Sequence, residues 1–164
     1  MNKVLPYQQI ADYFIALANE TQTPVTNLKL QKLVYYAQAW SLALLKEPLI
    51  NEDFEAWVHG PVLPALYHQY KAFGWKPIER DDLQEGSVNA IIGQFQQKVQ
   101  KLLSDVQYEY FGLSAFELEK LTHNEAPWQQ TRDGLPDDAP SDRVIPKDLM
   151  QAYYSRFIVA DEQD

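Results

Sequence analysis

The sequence predicts a mainly α-helical fold, a compact single-domain helical bundle with a small set of short β-strands. Three observations lead to this fold class. Apolar residues recur at steps of three and four over several long segments, which is the spacing of one helix face. Alternation of apolar and polar residues is confined to short segments. The chain has 164 residues, of which 46% are hydrophobic, and this size and composition are typical of one folded globular domain.

The most apolar helical segment is residues 27–40, NLKLQKLVYYAQAW. Leu30 and Leu33 begin a stripe of apolar residues on one face, and further apolar residues widen it on both sides. Thr26 or Asn27 is a suitable N-cap. We therefore predict a long central helix that needs neighbours on most of its surface.

Two lysines interrupt the apolar pattern near the start of this helix. A helix N-terminus carries partial positive charge, so Lys29 and Lys32 are each unfavourable there by a few tenths of a kcal/mol. Tyr36 lies one turn further on and could belong equally to the core or to an interface. We interpret Lys29, Lys32 and Tyr36 as part of a partner-binding surface.

Before the central helix, the pattern predicts a first helix over about Pro6 to Asn19, antiparallel to it because the connection is short. After it, residues 49–51 are predicted to be extended. Period-two alternation over 54–58 predicts a short strand, and residues 75–78 and 143–145 are candidates for two more strands.

The sequence His59-Gly60-Pro61 predicts a turn, because glycine permits a positive φ and proline can open the following helix, here over about 61–73. Trp57 precedes this turn and fits either the core or an interface, since interfaces favour rigid aromatic residues. Residues Trp57, His59, Gly60 and Pro61 complete the predicted partner-binding set. For Gly60 and Pro61, a role in maintaining the backbone is the favoured alternative.

The apolar pattern over residues 87–110 predicts a long helix, from a cap at Ser87 to about Tyr110. Ser114 and Glu117 then have the spacing of a capping box. This motif predicts a helix over about residues 115–122.

Asn124 can cap a further short helix, with Pro127 in its first turn and Trp128 packed on the core. Residues 132–142 are rich in turn-forming and charged residues, which predicts a mobile loop. Pro146 opens a last helix. We expect one domain over residues 1–160 and an acidic tail over 161–164.

The chain has a net charge of −9, and the excess of acidic residues lies entirely in residues 79–164. Nucleic-acid-binding proteins need a basic surface, so we expect no direct DNA or RNA binding. A basic protein partner fits better, although acidity also serves solubility. The absence of cysteine excludes disulfides and thiol nucleophiles, and no segment has the apolar length of a membrane span. A cytoplasmic location is expected.

Histidines 59, 68 and 123 are the candidates for catalysis or metal binding. Their spacing matches none of the common zinc motifs, and the sequence has neither a phosphate-binding glycine loop nor a nucleophile elbow. We therefore expect no catalytic residues, no metal and no cofactor. A hydrolase hypothesis would require the three histidines to converge in one polar pocket.

Three sequence blocks together resemble the Panacea domain, the SocA-like antitoxin family, over about residues 5–158. They are LKLQKLVYYAQAW at 28–40, EAWVHGPVLPALY at 55–67 and LSAFELEKLTHNEAPW at 113–128. The family motifs fall on the following residues: Lys29, Leu30, Lys32 and Leu33; Ala56, Trp57, Gly60 and Pro61; Thr122, His123, Pro127 and Trp128. His59 departs from the tyrosine or other aromatic residue that is frequent in other members.

The resemblance implies a mainly helical, non-enzymatic protein that neutralises a cognate protein toxin by direct binding. The residues of the motifs that carry no partner-binding assignment would maintain the fold. An alternative function is a phage or mobile-element accessory protein that binds a host factor. Neither the oligomeric state nor the face that binds a toxin follows from the sequence.

Overall fold

The computed structural model describes residues 4–158, and the predicted class, a mainly helical compact fold with few strands, is confirmed. Within this range the chain forms eight α-helices and one two-stranded sheet. The predicted acidic tail at 161–164 and both ends of the predicted 1–160 domain lie outside the described residues. None of the helices between residues 4 and 158 combines the length and the apolar character needed to cross a membrane.

The fold is assembled around α2, Asn27–Trp40, in which every residue except Leu28 and Trp40 is buried. The Thr26 side chain caps it by accepting a hydrogen bond from the Lys29 N–H at 3.2 Å. The predicted central helix and its cap are therefore confirmed. Helix α1, Tyr7–Thr21, precedes it and packs against it, also as predicted.

Buried polar side chains of α2 hold the segments that follow it. The Gln38 amide accepts hydrogen bonds from the N–H groups of Leu49 and Ile50 at 2.8 and 3.0 Å and donates to the Ile50 carbonyl. The Gln31 amide accepts from the Leu63 N–H at 3.0 Å. Residues 49–51 therefore form bends and not the predicted extended segment, because a side chain, and not a neighbouring strand, satisfies their backbone groups.

The strands β1, Glu55–Trp57, and β2, Gly60–Val62, form an antiparallel hairpin with Val58-His59 as its connection. The predicted first strand is confirmed, and so is the turn, with Gly60 at φ +106°. The following helix α3, Pro64–Tyr70, begins at Pro64 and not at Pro61 as predicted.

Pro61 is tolerated in a strand because of its position in the ladder. It lies opposite Ala56, whose N–H donates away from β2 to the Arg143 carbonyl at 2.9 Å. Antiparallel pairs alternate between bonded and non-bonded positions, and a proline fits the latter. The predicted strand at 143–145 is reduced to one bridge, between Glu55 and Val144. The predicted strand at 75–78 is absent, since the Ile78 N–H donates to the Val25 carbonyl in a loop.

The long helix predicted from Ser87 to Tyr110 is two helices, α4, Ser87–Ile92, and α5, Gln97–Val106, followed by a π-helical turn, Gln107–Phe111. Helix α4 packs on α1 whereas α5 packs on α2, so the chain must turn between them. It turns at Gly93, a residue with low helix propensity. Ser87 is not the cap, because Gly86, at φ +89°, precedes the helix.

The predicted capping box is confirmed at the start of α6, Ala115–His123. The Ser114 hydroxyl accepts from the Glu117 N–H at 3.0 Å, and the Glu117 carboxylate accepts from the Ser114 N–H at 2.9 Å. Helix α7, Ala126–Thr131, follows with Pro127 in its first turn as predicted, but Glu125 and not Asn124 occupies its N-cap position. Helix α8, Lys147–Ser155, ends the described chain and buries Met150 and Tyr154.

The loop at 132–142 is held together by Arg132, whose side chain is buried. Its guanidinium donates to the Ala56 carbonyl at 2.9 Å and to the carbonyls of Pro136 and Ala139 at 3.0 and 2.6 Å. The same group lies 4.9 Å from the centre of the Trp128 ring. These contacts join the loop to β1, so the loop predicted to be mobile has a fixed framework.

Removal of the capping box should destabilise the protein measurably. Ser114→Ala is expected to lower the free energy of unfolding by about 1 kcal/mol, because the Glu117 N–H at the start of α6 loses its partner. Chemical denaturation measures this change. Ser104→Ala, on the exposed face of α5, is the matched control and should change stability by less than about 0.5 kcal/mol. Equal midpoints for the two variants would contradict the role of the box.

Replacement of the buried guanidinium should release the loop. Arg132→Met is expected to cost about 3 kcal/mol of unfolding free energy, because charged hydrogen bonds to buried carbonyls are lost. It should also speed cleavage of residues 133–142 by a protease specific for acidic residues. The control Arg156→Met replaces an exposed arginine and should leave both measurements near the wild-type values. Unchanged cleavage in Arg132→Met would show that other contacts hold the loop.

Candidate partner-docking groove

An open cleft of about 680 Å³ lies beside the β1–β2 turn. Four parts of the chain form it: the start of α2, the hairpin turn, the end of α3 with the turn that follows, and the loop near Pro140. We call this cleft the docking groove. Its lining residues are Asn27, Leu28, Trp57, Val58, His59, Val62, Tyr67, Lys71, Gly74, Trp75, Pro140, Ser141 and Asp142.

The most unusual side chain of the docking groove is Trp75, which is 88% exposed. It follows Gly74, whose φ of +60° ends the short helix after α3 and whose N–H donates to the Lys71 carbonyl at 3.0 Å. The hydrogen bond of Gly74 therefore fixes the backbone conformation directly before Trp75. A large aromatic side chain that its own fold leaves in solvent has much apolar surface available for a partner.

Trp57 also lines the docking groove and is half-buried. Its ring packs edge-on against Tyr67 with 4.9 Å between ring centres, and its indole N–H donates to the Glu55 carboxylate at 2.9 Å. The Trp57 carbonyl accepts from the Trp128 indole N–H at 2.7 Å. Trp57 thus belongs partly to the core and partly to the groove, which combines the two alternatives left open by the sequence.

His59 projects from the tip of the hairpin with 63% of its side chain exposed. Its Nδ1 lies 3.1 Å from Oε1 of Glu119 on α6. Lys71 and Asp142 add one charge of each sign to the lining. The docking groove therefore has a mixed polar rim around aromatic and aliphatic side chains, which is the usual composition of a protein interface.

Tyr36 is not on the surface, contrary to the expectation that it forms part of an exposed partner-binding surface. It is 0% exposed, its ring stacks on Tyr110 at 3.9 Å, and its hydroxyl donates to the Glu125 carboxylate at 2.8 Å. The Tyr154 hydroxyl donates to the same carboxylate at 2.6 Å. Burial raises the pKa values of both Tyr36 and Glu125. This network is the reason that α2 can bury a tyrosine.

Lys29 is also buried, again contrary to that expectation. Its ammonium group lies 4.9 Å from the centre of the Phe111 ring. Burial lowers its pKa, and the nearby Glu117 carboxylate opposes this shift. Packing of the amine on an aromatic ring explains why a lysine is tolerated near the start of a helix.

Lys32 is more deeply buried than Lys29, at 1% exposure. It lies under β2, so close to Gly60 that a Cβ built on Gly60 would be 2.5 Å from Lys32 Cε and 2.9 Å from the Thr122 hydroxyl. Gly60 and Pro61 are themselves buried. Of the predicted partner-binding set, Trp57 and His59 therefore face outwards, and whether they contact a partner stays a prediction.

The fold-motif residues from the three sequence blocks meet behind the hairpin. Lys32, Gly60 and Thr122 come from different blocks and are in close contact. The His123 ring stacks on Trp128 with 4.0 Å between centres, and Trp128 bonds to Trp57. The remaining motif residues are all buried: Leu30, Leu33, Ala56 and Pro127. We call this set of contacts the motif seam; it fixes the turn that forms one side of the docking groove.

The sequence interpretation missed the contribution of α3 and of the turn after it, that is, Tyr67, Lys71 and Trp75. A signal was available at Trp75, because a tryptophan directly after a turn glycine lies outside the apolar period of the preceding helix. From the sequence, Trp75 is assigned to a strand. The presence of Trp75 and Trp57 in one groove depends on the tertiary fold.

The three histidines do not share a polar pocket. His59 pairs with Glu119 at the surface, His123 packs on Trp128, and His68 lies on exposed α3 beside Tyr67. Among residues 4–158, no group of three or more His, Asp or Glu side chains is arranged to hold a metal ion. The geometry favours binding through apolar and aromatic contact.

Comparison with known proteins identifies the family of the chain. Residues 30–129 match the model of the family described as Antitoxin SocA-like, Panacea domain. Antitoxin SocA of Caulobacter vibrioides (strain NA1000 / CB15N) is 41% identical over 69 residues, which are 42% of this chain and 37% of that relative. No solved structure matches the chain significantly. The family match covers more than half of the sequence, so the chain belongs to the SocA-like antitoxin family with a Panacea domain.

Proposed function

We propose that this protein is an antitoxin that neutralises a cognate protein toxin by direct binding, without catalysis. Membership of the family and similarity to a protein named as an antitoxin support this proposal. The single structural observation that carries it is the docking groove, whose lining combines the exposed Trp75 with an aromatic wall that the fold itself holds in place.

The docking groove is the proposed toxin-binding site. Trp75 contributes an accessible indole, while Trp57 and Tyr67 offer a wall whose geometry is set by the contacts of Trp57 with Glu55 and Trp128. A rigid wall needs little ordering on binding, so more of the contact free energy appears as affinity. Clusters of tryptophan and tyrosine side chains dominate the free energy of many protein interfaces.

The chemistry of the groove indicates the kind of toxin surface that would fit. Its centre accepts one or two apolar side chains, and its rim offers one charge of each sign. The net charge of −9 favours encounter with a basic protein and opposes approach to nucleic acid. We propose a basic toxin with an exposed apolar loop or helix as the occupant.

Residues of the predicted partner-binding set divide into two roles in this proposal. Trp57 and His59 contact the toxin directly. Lys32, Gly60 and Pro61 act from below by fixing the hairpin, and Lys29 and Tyr36 stabilise α2 on its other sides.

Co-expression with the protein encoded by the neighbouring open reading frame tests the proposal. That protein should arrest growth when expressed alone, and co-expression of this chain should relieve the arrest. The two proteins should also purify together as a complex. A neighbour that is harmless alone, or that stays lethal beside this chain, would refute the antitoxin function. Dominant recovery of one host protein in its place would favour the alternative, an accessory protein directed at a host factor.

Removal of the exposed indole should weaken the complex without changing the fold. Trp75→Ala is expected to raise the dissociation constant for the toxin at least thirtyfold, equivalent to about 2 kcal/mol, because an interface tryptophan is commonly worth this much. Isothermal titration calorimetry measures the affinity, and growth rescue should fall in parallel. The free energy of unfolding should change by less than about 0.5 kcal/mol.

Tyr108→Ala is the matched control for this variant. Tyr108 is 86% exposed and does not line the docking groove, so its loss removes a comparable aromatic surface elsewhere. It should bind the toxin with wild-type affinity. A larger loss for Tyr108→Ala than for Trp75→Ala would place the toxin on another face and refute the groove.

A further inference from the structure

Lys32 is buried in a way that is costly for a charged group. Its residue is 1% exposed, and its Nζ has no hydrogen-bond partner among the described residues. An isolated ammonium group away from water pays a large desolvation cost, and the usual response is loss of the proton. Burial accordingly lowers the pKa of Lys32 to about 7.

The surroundings of the amine connect it to the docking groove. Gly60 of β2 lies so close to Lys32 that no side chain fits between them, and Thr122 of α6 closes the same space. Gly60 pairs with Trp57, and Trp57 and His59 line the groove. The Lys32 amine therefore lies directly beneath the hairpin whose outer side forms the groove wall.

Other titratable groups face this position from two elements. Glu119 and His123 lie on α6, and the negative charge of Glu119 opposes the lowering of the Lys32 pKa. Burial lowers the pKa of His123, to which Lys32 and His59 also contribute. His59 at the hairpin tip holds Glu119 at 3.1 Å. On its own helix, Lys29 is one turn away and contacts Phe111 instead.

We propose that Lys32 is a proton-sensitive positioning residue of the docking groove, whose uncharged amine lets the β1–β2 turn pack against α6 and whose protonation loosens that turn and weakens partner binding. The effect of Lys32 protonation on binding rests on the function proposed above. Its effect on the stability of the free protein does not, so the two effects can be tested separately.

The sign of the pH effect follows from linkage. Between about pH 7 and the ordinary lysine pKa of 10.5, the unfolded chain keeps a proton on Lys32 that the folded chain has lost. Stability then rises with pH, by up to a factor of ten in the unfolding constant for each pH unit. The destabilisation is fully present below pH 7 and disappears as the pH approaches 10.5.

Equilibrium unfolding of the free protein between pH 7 and 9.5 tests this linkage. Lys32→Met keeps the length of the side chain and removes the amine, so it should be more stable than wild type at pH 7 and should lose most of the pH dependence. The range stops at pH 9.5 because tyrosine phenols ionise above it. Lys29→Met is the matched control on the same helix and should keep most of the slope. Equal slopes in wild type and Lys32→Met would overturn the proposal.

A second measurement on the wild-type protein does not depend on how any variant folds. With ¹³C-labelled lysine, one Cε resonance should titrate with a midpoint near pH 7, and this resonance should be missing from the spectrum of Lys32→Met if that variant folds. Titration of every lysine above pH 9.5 would overturn the proposal.

The effect on binding is measured as toxin affinity between pH 6 and 8. Wild-type affinity should fall by up to tenfold for each unit below pH 7, and Lys32→Met should bind with little pH dependence. Lys120→Met, which replaces an exposed lysine of α6 outside the docking groove, is the control and should keep the wild-type pH profile. If wild-type affinity does not change with pH but still falls in Trp75→Ala, the proposed role of Lys32 is refuted and the docking groove is not. If affinity is unchanged in Trp75→Ala, the docking groove is refuted, while the effect of Lys32 on the free protein still stands.

Discussion

Burial of α2 on nearly all sides is the constraint on which the rest of this structure depends. A helix with polar and charged residues at Asn27, Lys29, Gln31, Lys32 and Gln38 cannot be covered by apolar side chains alone. Each buried polar atom left without a partner costs about 1–3 kcal/mol. The segments around α2 supply partners for Asn27, Gln31 and Gln38, whereas the Lys32 Nζ has none among the described residues.

The two buried glutamines show how this constraint determines the chain path. Gln38 replaces a neighbouring strand for Leu49 and Ile50, and Gln31 fixes the chain at Leu63, next to the start of α3. The hairpin lies between these two attachments, so its distance from α2 is set at both ends. Close approach to Lys32 then requires a residue without a side chain, and Gly60 provides it at a backbone angle that also favours glycine.

The same arrangement connects the family motifs with the surface. The motif seam lies behind the hairpin and the docking groove lies in front of it, so residues that never touch a partner determine the shape of the wall that a partner would meet. Arg132 extends this framework to the loop by bonding the Ala56 carbonyl and the loop carbonyls together. The side of the hairpin that packs on α2 and α6 thus maintains the fold, while its other side lines the docking groove.

Sequence alone predicts the helical class, the central helix with a cap at Thr26 or Asn27, the first helix, the hairpin turn and the capping box at Ser114. These features depend on interactions within a few residues, so local spacing predicts them. Only the folded chain shows the break at Gly93, the start of α3 at Pro64, the burial of Lys29, Lys32 and Tyr36, and the presence of Trp57 and Trp75 in one groove. Each of these depends on residues far apart in the chain: α4 and α5 choose different neighbours, and a lysine or tyrosine becomes buried only when Phe111, Gly60 or Glu125 arrives beside it. Periodicity records which residues avoid water, but not which distant partner makes burial of a polar residue possible.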